Sequence, residues 1–147
     1  MRIAEDKSYF EILKKNIEPL VRNHELEIWH DEKINPSENW LQEIERALLH
    51  AWSAILIISP DFIASEFITN IEIPRLLINA KEKGCKILCL YAKYSVVKHI
   101  SWDIENKSFN LTDFQGLNSP EKPLSSLSKS KQDKVMIKST EAILNLE

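Results

Sequence analysis

Glycine is scarce in this sequence of 147 residues, which contains only Gly84 and Gly116. Phosphate-binding loops of the GxGxxG or Walker type need several glycines close together, because their backbone must approach the phosphates closely. The sequence therefore excludes both types of loop. Cys85 and Cys89 are the only cysteines, too few for a disulfide framework, and no CxxC or HExxH metal-binding pattern is present. Both lie on one face of the apolar segment CKILCL, so we predict that they pack in the core.

Long hydrophobic runs and an excess of positive charge are also missing. The longest aliphatic run, Ala54 to Ile58, is far shorter than the roughly 20 residues that span a bilayer, and the polar start MRIAEDKSYF has no signal-peptide core. The net charge of -3 gives no basic footprint for nucleic acid. We therefore expect a cytoplasmic protein that contacts neither membrane nor nucleic acid, with residues 1–147 forming a single domain.

The periodicity of the apolar residues predicts alternating helices and strands. An amphipathic helix with a capping box from Ser8 to Glu11 is expected to bend or end near Pro19. The continuously apolar segments SAILIIS and KILCLY are typical of strands covered on both faces. The predicted elements are a helix over 8–21, a strand over 26–29, a helix from 39, a strand over 53–59, a helical turn in 60–65, a helix over 74–83, a strand over 86–91 and a helix from about 130 to 146. This alternation predicts a parallel α/β sheet.

One carboxylate, that of Glu72, stands between two isoleucines and two residues before Pro74. Ionised carboxylates are rarely left among aliphatic side chains unless they are paired or used. Because proline does not fit the interior of a helix, we expect Pro74 in the first turn of a new helix that ends at Gly84. Glu72 would then lie at a helix N-terminus, near the positive end of the dipole. It would cap that helix, pair with Arg75, or serve a functional site.

The segments EIWHDEKINPSENWLQEIERALLHAWSAILIISPDFIASEFITNIEIPRLL and DFQGLNSPEKPLSSL carry a characteristic series of features. A strand ending in an aromatic residue and Asp leads into a proline-containing loop and a Trp-bearing helix. A buried strand with Ser-Pro-x-Phe, a Ser-aromatic segment carrying a Glu, and a Leu-Pro-like segment follow. From about Glu5 onward the chain thereby resembles the bacterial branch of the Toll/interleukin-1 receptor (TIR) domains. This resemblance implies a flavodoxin-like fold, with a parallel sheet of order 2-1-3-4-5 flanked by helices.

The resemblance also implies a catalytic residue. Many bacterial and plant members of the family hydrolyse NAD or cyclise its ADP-ribose part, and their catalytic glutamate lies shortly after a Ser-aromatic-Cys pattern. Ser65 matches the serine, Phe67 the aromatic residue, Ile68 the cysteine and Glu72 the glutamate. Ile68 departs from the pattern, the gap from the aromatic residue to the glutamate is one residue longer than in its tightest version, and Ser37 stands where these loops often carry Gly.

NAD is the implied substrate, with no separate cofactor and no metal. The expected substrate-binding residues are Phe67, Trp29, Asp31, Tyr9, Trp40 and Ser59. The aromatic residues among them would stack on nicotinamide or adenine or, for Trp40, gate the mouth of the loop. Core packing is the alternative for each aromatic side chain.

Two functions are compatible with these observations. One is an NAD-consuming enzyme of a bacterial defence or toxin system that is activated by self-association. The other is a non-catalytic module that binds other TIR domains through the loop DEKINPSEN and its helix surfaces. Whether the product would be linear or cyclic is open.

The first strand of the family is expected to be truncated or missing. Only MRIA precedes the first helix, whereas the family has a longer run there. Since this strand is central in a 2-1-3-4-5 sheet, its absence would leave unpaired backbone groups inside the sheet. We expect residues upstream of Met1, or another chain, to complete the strand.

Overall fold

Helices and strands alternate along the chain in the structure, a computed structural model that describes residues 2–4, 7–22 and 53–146. The elements are β1 (Arg2–Ala4), α1 (Lys7–Arg22), β2 (Ser53–Ile58), α2 (Pro60–Ala64), a π-helical turn (Ile68–Glu72), α3 (Ile73–Lys83), β3 (Lys86–Tyr91), β4 (Trp102–Ile104), β5 (Lys107–Phe109), β6 (Gln115–Gly116) and α4 (Lys129–Leu146). Short 3₁₀ turns lie at Val97–His99, Leu111–Asp113 and Leu124–Ser126. The strand predicted over 26–29 and the helix predicted from 39 fall outside the described residues.

The main sheet is parallel and has the order β1-β2-β3-β6. Its longest ladder joins β2 to β3 over six residue pairs, from Ser53 opposite Lys86 to Ile58 opposite Tyr91. Every residue of β2 is buried, as expected for a strand covered on both faces. The order corresponds to strands 1, 3, 4 and 5 of a 2-1-3-4-5 sheet. The predicted flavodoxin-like α/β fold is thus confirmed.

A first strand is present among the described residues. Arg2–Ala4 pairs in parallel with Ala54–Leu56, which places β1 beside β2 at the position expected for the family's first strand. The ladder between β2 and β3 continues to Ile58, so β1 covers half the length of β2. Along the three residues of β1 the strand is supplied by the chain itself, so the position of the first strand is not empty.

The core lies on both faces of the sheet because neighbouring strand residues point to opposite sides. Ile55 and Ile57 of β2 pack with apolar residues of α1 and α4, whereas Ala54, Leu56 and Ile58 pack with those of α2, α3 and β4. The first cluster (Phe10, Leu13, Ile17, Ile55, Ile57, Leu88, Leu90, Met136, Ile143) and the second (Ala54, Leu56, Ile58, Phe62, Ile68, Ile73, Leu76, Leu77, Cys89, Trp102, Leu111) are both buried. Helices therefore cover both faces, as in a doubly wound fold.

Helix α1 differs from its prediction at both ends. It begins at Lys7, so that Ser8 lies inside the helix, and it continues past Pro19 to Arg22. Proline removes one helical hydrogen bond, but the helix buries Phe10 and other apolar residues of the same face against the sheet. Tertiary packing of an amphipathic face supplies most helix stability, so the helix persists through the proline.

Candidate functional site

A capped helical turn follows the carboxyl end of β2. Ser59 is buried, and its Oγ accepts a hydrogen bond from the amide of Phe62 at 3.1 Å. Pro60 occupies the first position of α2, as the sequence predicted. Ligands of open α/β sheets bind beyond the carboxyl ends of the strands. Ser59 thus lies at the carboxyl edge of the sheet, and its hydroxyl oxygen caps the N-terminus of α2.

Ser65 ends α2 and starts the helix that carries Glu72. Its backbone is extended (φ -72°, ψ 115°), and its Oγ accepts from the amide of Ile68 at 3.3 Å. Its carbonyl accepts from the amide of Thr69 at 3.0 Å and from the Thr69 hydroxyl at 2.9 Å. The serine of the Ser-aromatic pattern therefore fixes the start of the helix that presents the glutamate.

The helix after Ser65 continues without a break through residues 66–83, but one of its turns is π-helical. In that turn the amide of Ile73 donates to the carbonyl of Ile68, five residues earlier. Pro74 lies in the first turn of α3, as predicted, because a π turn relieves the clash that its ring would make in a regular α-helix. Glu72 directly precedes α3, as predicted, but the chain before it is already helical, so Glu72 does not lie beside the free amides of a helix start. Its own backbone is helical (φ -68°, ψ -51°), and the free amides of the helix start lie one turn or more before it.

The π turn accounts for the extra residue between Phe67 and Glu72. In a regular α-helix two residues five apart point about 140° away from each other, since each residue turns about 100°. A π turn holds one residue more than an α turn, so the extra residue is accommodated within it. Ile68, the first residue of the turn, and Glu72, the last, are both buried, with exposed fractions of 7% and 0%. The longer gap is therefore compatible with a glutamate that faces inward.

Glu72 lies on the buried, apolar side of its helix. The following residue, Ile73, is buried, as is Leu76 one turn on, whereas Arg75 is exposed. The side chain of Glu72 makes no capping hydrogen bond to α3, so the interpretation of Glu72 as a helix cap is wrong. Placing a carboxylate among aliphatic side chains is costly. Packing alone would therefore favour an apolar residue at this position.

The remaining predicted site residues are distributed over the two faces of the sheet. Phe67 is half-buried and packs on the same cluster as Ile68. Tyr9, near the start of α1, packs on the cluster of the opposite face. Phe67 and Glu72 thus share one helix, with Ser59 at the end of the preceding strand, while Tyr9 lies across the sheet. The predicted residues Trp29, Asp31 and Trp40, together with Ser37, lie outside the described residues.

A hairpin lies between the predicted strand 86–91 and the predicted helix from about 130, and it contacts the helix that carries Glu72. β4 and β5 pair antiparallel around Glu105 and Asn106, both with positive φ (50° and 67°), the conformation of a two-residue hairpin turn. The hairpin packs on α3, and the indole Nε1 of Trp102 donates to the carbonyl of Thr69 at 2.9 Å. The dipeptide EN between WDI and KSF could have indicated the hairpin. No local signal could have indicated the contact with Thr69.

The two cysteines are buried, as predicted. Burial raises the pKa of Cys85 to about 11 and that of Cys89 to about 12. Both thiols therefore stay protonated at neutral pH and are poor nucleophiles. Within the described part of the chain, no group of three or more His, Cys, Asp or Glu residues is placed to hold a metal ion, and no helix is long and apolar enough to cross a membrane.

A parallel sheet with helices on both faces, and a buried glutamate on the helix after the second described strand, define a flavodoxin-like α/β protein with a candidate site beside the sheet. The family model for the TIR domain matches residues 10–128. The chain therefore belongs to the TIR domain family, which contains both NAD-cleaving enzymes and signalling modules. No curated protein and no solved structure gives a significant match to the chain.

Proposed function

We propose that this TIR domain is an NAD hydrolase, of the glycohydrolase or cyclase type, that serves a bacterial defence or toxin system and is activated by self-association. The observation that carries the proposal is the placement of Glu72. It occupies the position that matches the family's catalytic glutamate, and it is buried on a π turn although its neighbours are aliphatic. π turns inside α-helices are frequent at functional sites.

The chemistry of NAD cleavage explains why one carboxylate can suffice. Breaking the bond between nicotinamide and ribose passes through an oxocarbenium-like transition state, as in glycoside hydrolysis. Glycosidases need a second carboxyl as an acid, because an alkoxide is a poor leaving group. Nicotinamide is cationic in NAD and leaves as a neutral molecule, so no acid is needed. Glu72 would bind the ribose hydroxyls and stabilise the positive charge that develops on the sugar, an effect that is strongest where water is excluded.

The burial of Glu72 sets a condition on this activity. A side chain with an exposed fraction of 0% cannot contact a dinucleotide until the surrounding structure opens. We infer that the isolated chain rests in a closed, inactive state and that contact with a second copy opens the site. This condition agrees with the general tendency of TIR domains to self-associate.

The same burial favours a second candidate function. A non-catalytic TIR–TIR interaction module would never need to expose Glu72, and the carboxylate would then have a purely structural role inside the fold. This candidate predicts that the protein binds other TIR domains while NAD remains intact at every protein concentration.

The test is incubation of concentrated protein with NAD, followed by chromatography of the products, for the wild type, Glu72→Gln and Glu66→Gln. Glu66 lies on the same helix but is exposed, which makes it a matched control for the loss of a carboxylate. We expect the wild type and Glu66→Gln to release nicotinamide, and Glu72→Gln to be slower by about a hundredfold or more while its melting temperature shows that it is folded. Activity that persists in Glu72→Gln would refute the catalytic assignment, and no release by any variant would favour the interaction module.

A further inference from the structure

The π turn leaves one backbone carbonyl without its usual helical partner. The carbonyl of Thr69 would accept from the amide of Ile73 in an α-helix, but that amide donates to Ile68. In a continued π-helix it would accept from residue 74, which is Pro74 and has no amide proton. This carbonyl is partly buried, and backbone carbonyls withdrawn from water are nearly always hydrogen-bonded in folded proteins, so a donor from another element would stabilise it.

Trp102 supplies that donor. Its indole Nε1 lies 2.9 Å from the Thr69 carbonyl oxygen, and the side chain is buried, with an exposed fraction of 9%. The indole N–H has no acceptor capacity and a fixed direction in the ring plane. It therefore satisfies a carbonyl that the helix itself cannot satisfy.

The elements around Trp102 hold the indole in place. β4 pairs with β5 from Trp102 opposite Phe109 to Ile104 opposite Lys107. At the far end of the hairpin Nζ of Lys81, on α3, lies 2.6 Å from Oε2 of Glu105. After β5, the side-chain amide of Asn110 donates to the carbonyls of Lys98 and Ile100, which precede β4, at 3.0 Å each. The hairpin is thus anchored at both ends against its neighbours.

We propose that Trp102 is a positioning residue that maintains the π turn and thereby keeps Glu72 on the inner side of its helix. This inference rests on the proposed function for its consequence in catalysis, and on the Thr69 contact for its structural part. Without the indole, the partly buried carbonyl of Thr69 would lose its donor, and the turn would rearrange toward α-helical geometry, in which the Ile73 amide donates to this carbonyl. Such a rearrangement rotates Glu72 by the angle of one residue, about 100°, away from its present position.

Two substitutions test the proposal in a double-mutant cycle. Trp102→Phe keeps an aromatic ring in the core but removes the donor. Pro74→Ala gives residue 74 an amide that can donate to the carbonyl of Thr69, five residues earlier, and so replaces the donor from within the helix. Leu111→Ala is the control for lost core volume. Leu111 is buried in the same cluster, and its side chain has no hydrogen-bond donor to lose.

We expect Trp102→Phe to lower kcat for nicotinamide release by about a hundredfold or more, since the rotation displaces the Glu72 carboxylate by several ångströms and a misplacement of only about 1 Å already costs about a hundredfold. In the Pro74→Ala background the same change is expected to lower kcat by less than about threefold, since the carbonyl then has a donor. Leu111→Ala is expected to lower the melting temperature without this loss in kcat. Equal losses from Trp102→Phe in both backgrounds, or an equal loss in Leu111→Ala, would overturn the proposal.

NMR couplings across hydrogen bonds, which identify the acceptor of an amide, separate this proposal from the proposed function. In Trp102→Phe the Ile73 amide should donate to the carbonyl of Thr69 in place of that of Ile68, and in the double variant with Pro74→Ala it should donate to Ile68 again, whether or not any protein cleaves NAD. If the acceptor changes in this way but the wild type releases no nicotinamide, the proposed function fails and the positioning role stands. If Trp102→Phe does not fold, hydrogen exchange of the wild type still decides: the Trp102 indole and the Ile73 amide must exchange through one common opening, and different opening equilibria would overturn the proposal.

Discussion

Burial controls the acid–base behaviour of the two thiols. Cys89 is fully buried, and its Sγ–H donates to the carbonyl of Leu111 with a separation of 3.5 Å. Desolvation raises the pKa of Cys89 from the usual 9.0 to about 12 and that of Cys85 to about 11. Above pH 9 the unfolded chain loses these protons while the folded chain keeps them. The free energy of unfolding must therefore decrease as the pH rises from 9 toward 11 or 12.

We expect this decrease to approach about 1.4 kcal/mol per pH unit for each thiol. The measurement is urea unfolding of the wild type and Cys89→Ala at several values between pH 8 and pH 10.5. Cys89→Ala is less stable at pH 8 because it leaves a cavity, but its stability should fall less steeply with pH. The comparison of slopes removes the contribution of the lysines and of the tyrosines other than Tyr91, whose pKa is raised by burial and by Cys89. Parallel slopes in the two proteins would contradict the raised pKa of Cys89.

At the scale of secondary-structure elements, the two glycines terminate or connect elements for different reasons. Gly84 ends α3 with a left-handed backbone (φ 71°), and a Cβ there would meet nothing within 4 Å. Gly116 in β6 has no positive φ, but a Cβ there would lie 2.7 Å from the carbonyl oxygen of Asn118. That loop is held close because the Asn118 side chain binds both the amide and the carbonyl of Tyr91, at 2.8 and 2.9 Å.

We expect Gly116→Ala to lower the free energy of unfolding by about 1 to 3 kcal/mol, the usual cost of overpacking. Gly84→Ala should cost about 1 to 2 kcal/mol through backbone strain alone. Asparagine distinguishes the two causes: Gly84→Asn should be milder than Gly84→Ala, because Asn tolerates the left-handed conformation, whereas Gly116→Asn should be at least as damaging as Gly116→Ala. Chemical denaturation of the four variants measures these differences. A wild-type stability for Gly116→Ala would show that the loop can move away at little cost.

The elements differ in how far their sequence predicted them. The buried strands β2 and β3 and the end of α3 at Gly84 were predictable, because apolar composition and a left-handed cap act locally. The continuation of α1 past Pro19 was not, because its cause is packing against the sheet. The π turn before Pro74 has no periodic sequence signal, since one extra residue within a helix becomes visible only when the contacts on either side of it are known.

At the scale of the whole molecule, the sheet order came from the resemblance to TIR domains and agrees with the described strands. Local patterns predict strands but not their neighbours, so the position of β1 beside β2 could not be derived from periodicity. In the candidate site, Glu72 could be singled out from the sequence because a lone carboxylate among aliphatic residues is unusual. Trp102 could not, because it reaches Thr69 across a sequence distance that no motif spans.

At the same scale, the proposed function predicts that self-association controls NAD cleavage. Because Glu72 is fully buried in the single chain, we expect specific activity to increase with protein concentration as assembled copies shift the equilibrium toward an open site. The measurement is nicotinamide release per chain over a hundredfold dilution series, with light scattering on the same samples to follow assembly. Constant specific activity across the series, while the assembly state changes, would show that opening does not depend on a second copy.

The shared hydrogen bond between Trp102 and Thr69 also restricts how such a chain can evolve. The extra residue of the π turn and Pro74 together create the orphan carbonyl, and the indole satisfies it, so the three features are epistatic. Beside a regular helix the indole N–H can still donate to the second lone pair of a helix carbonyl, whereas the extra residue and the proline without an indole would leave a partly buried carbonyl unsatisfied, at a cost of up to about 3 kcal/mol. The order of substitutions with the lowest cost therefore gains the tryptophan before the extra residue and the proline, and loses it after them.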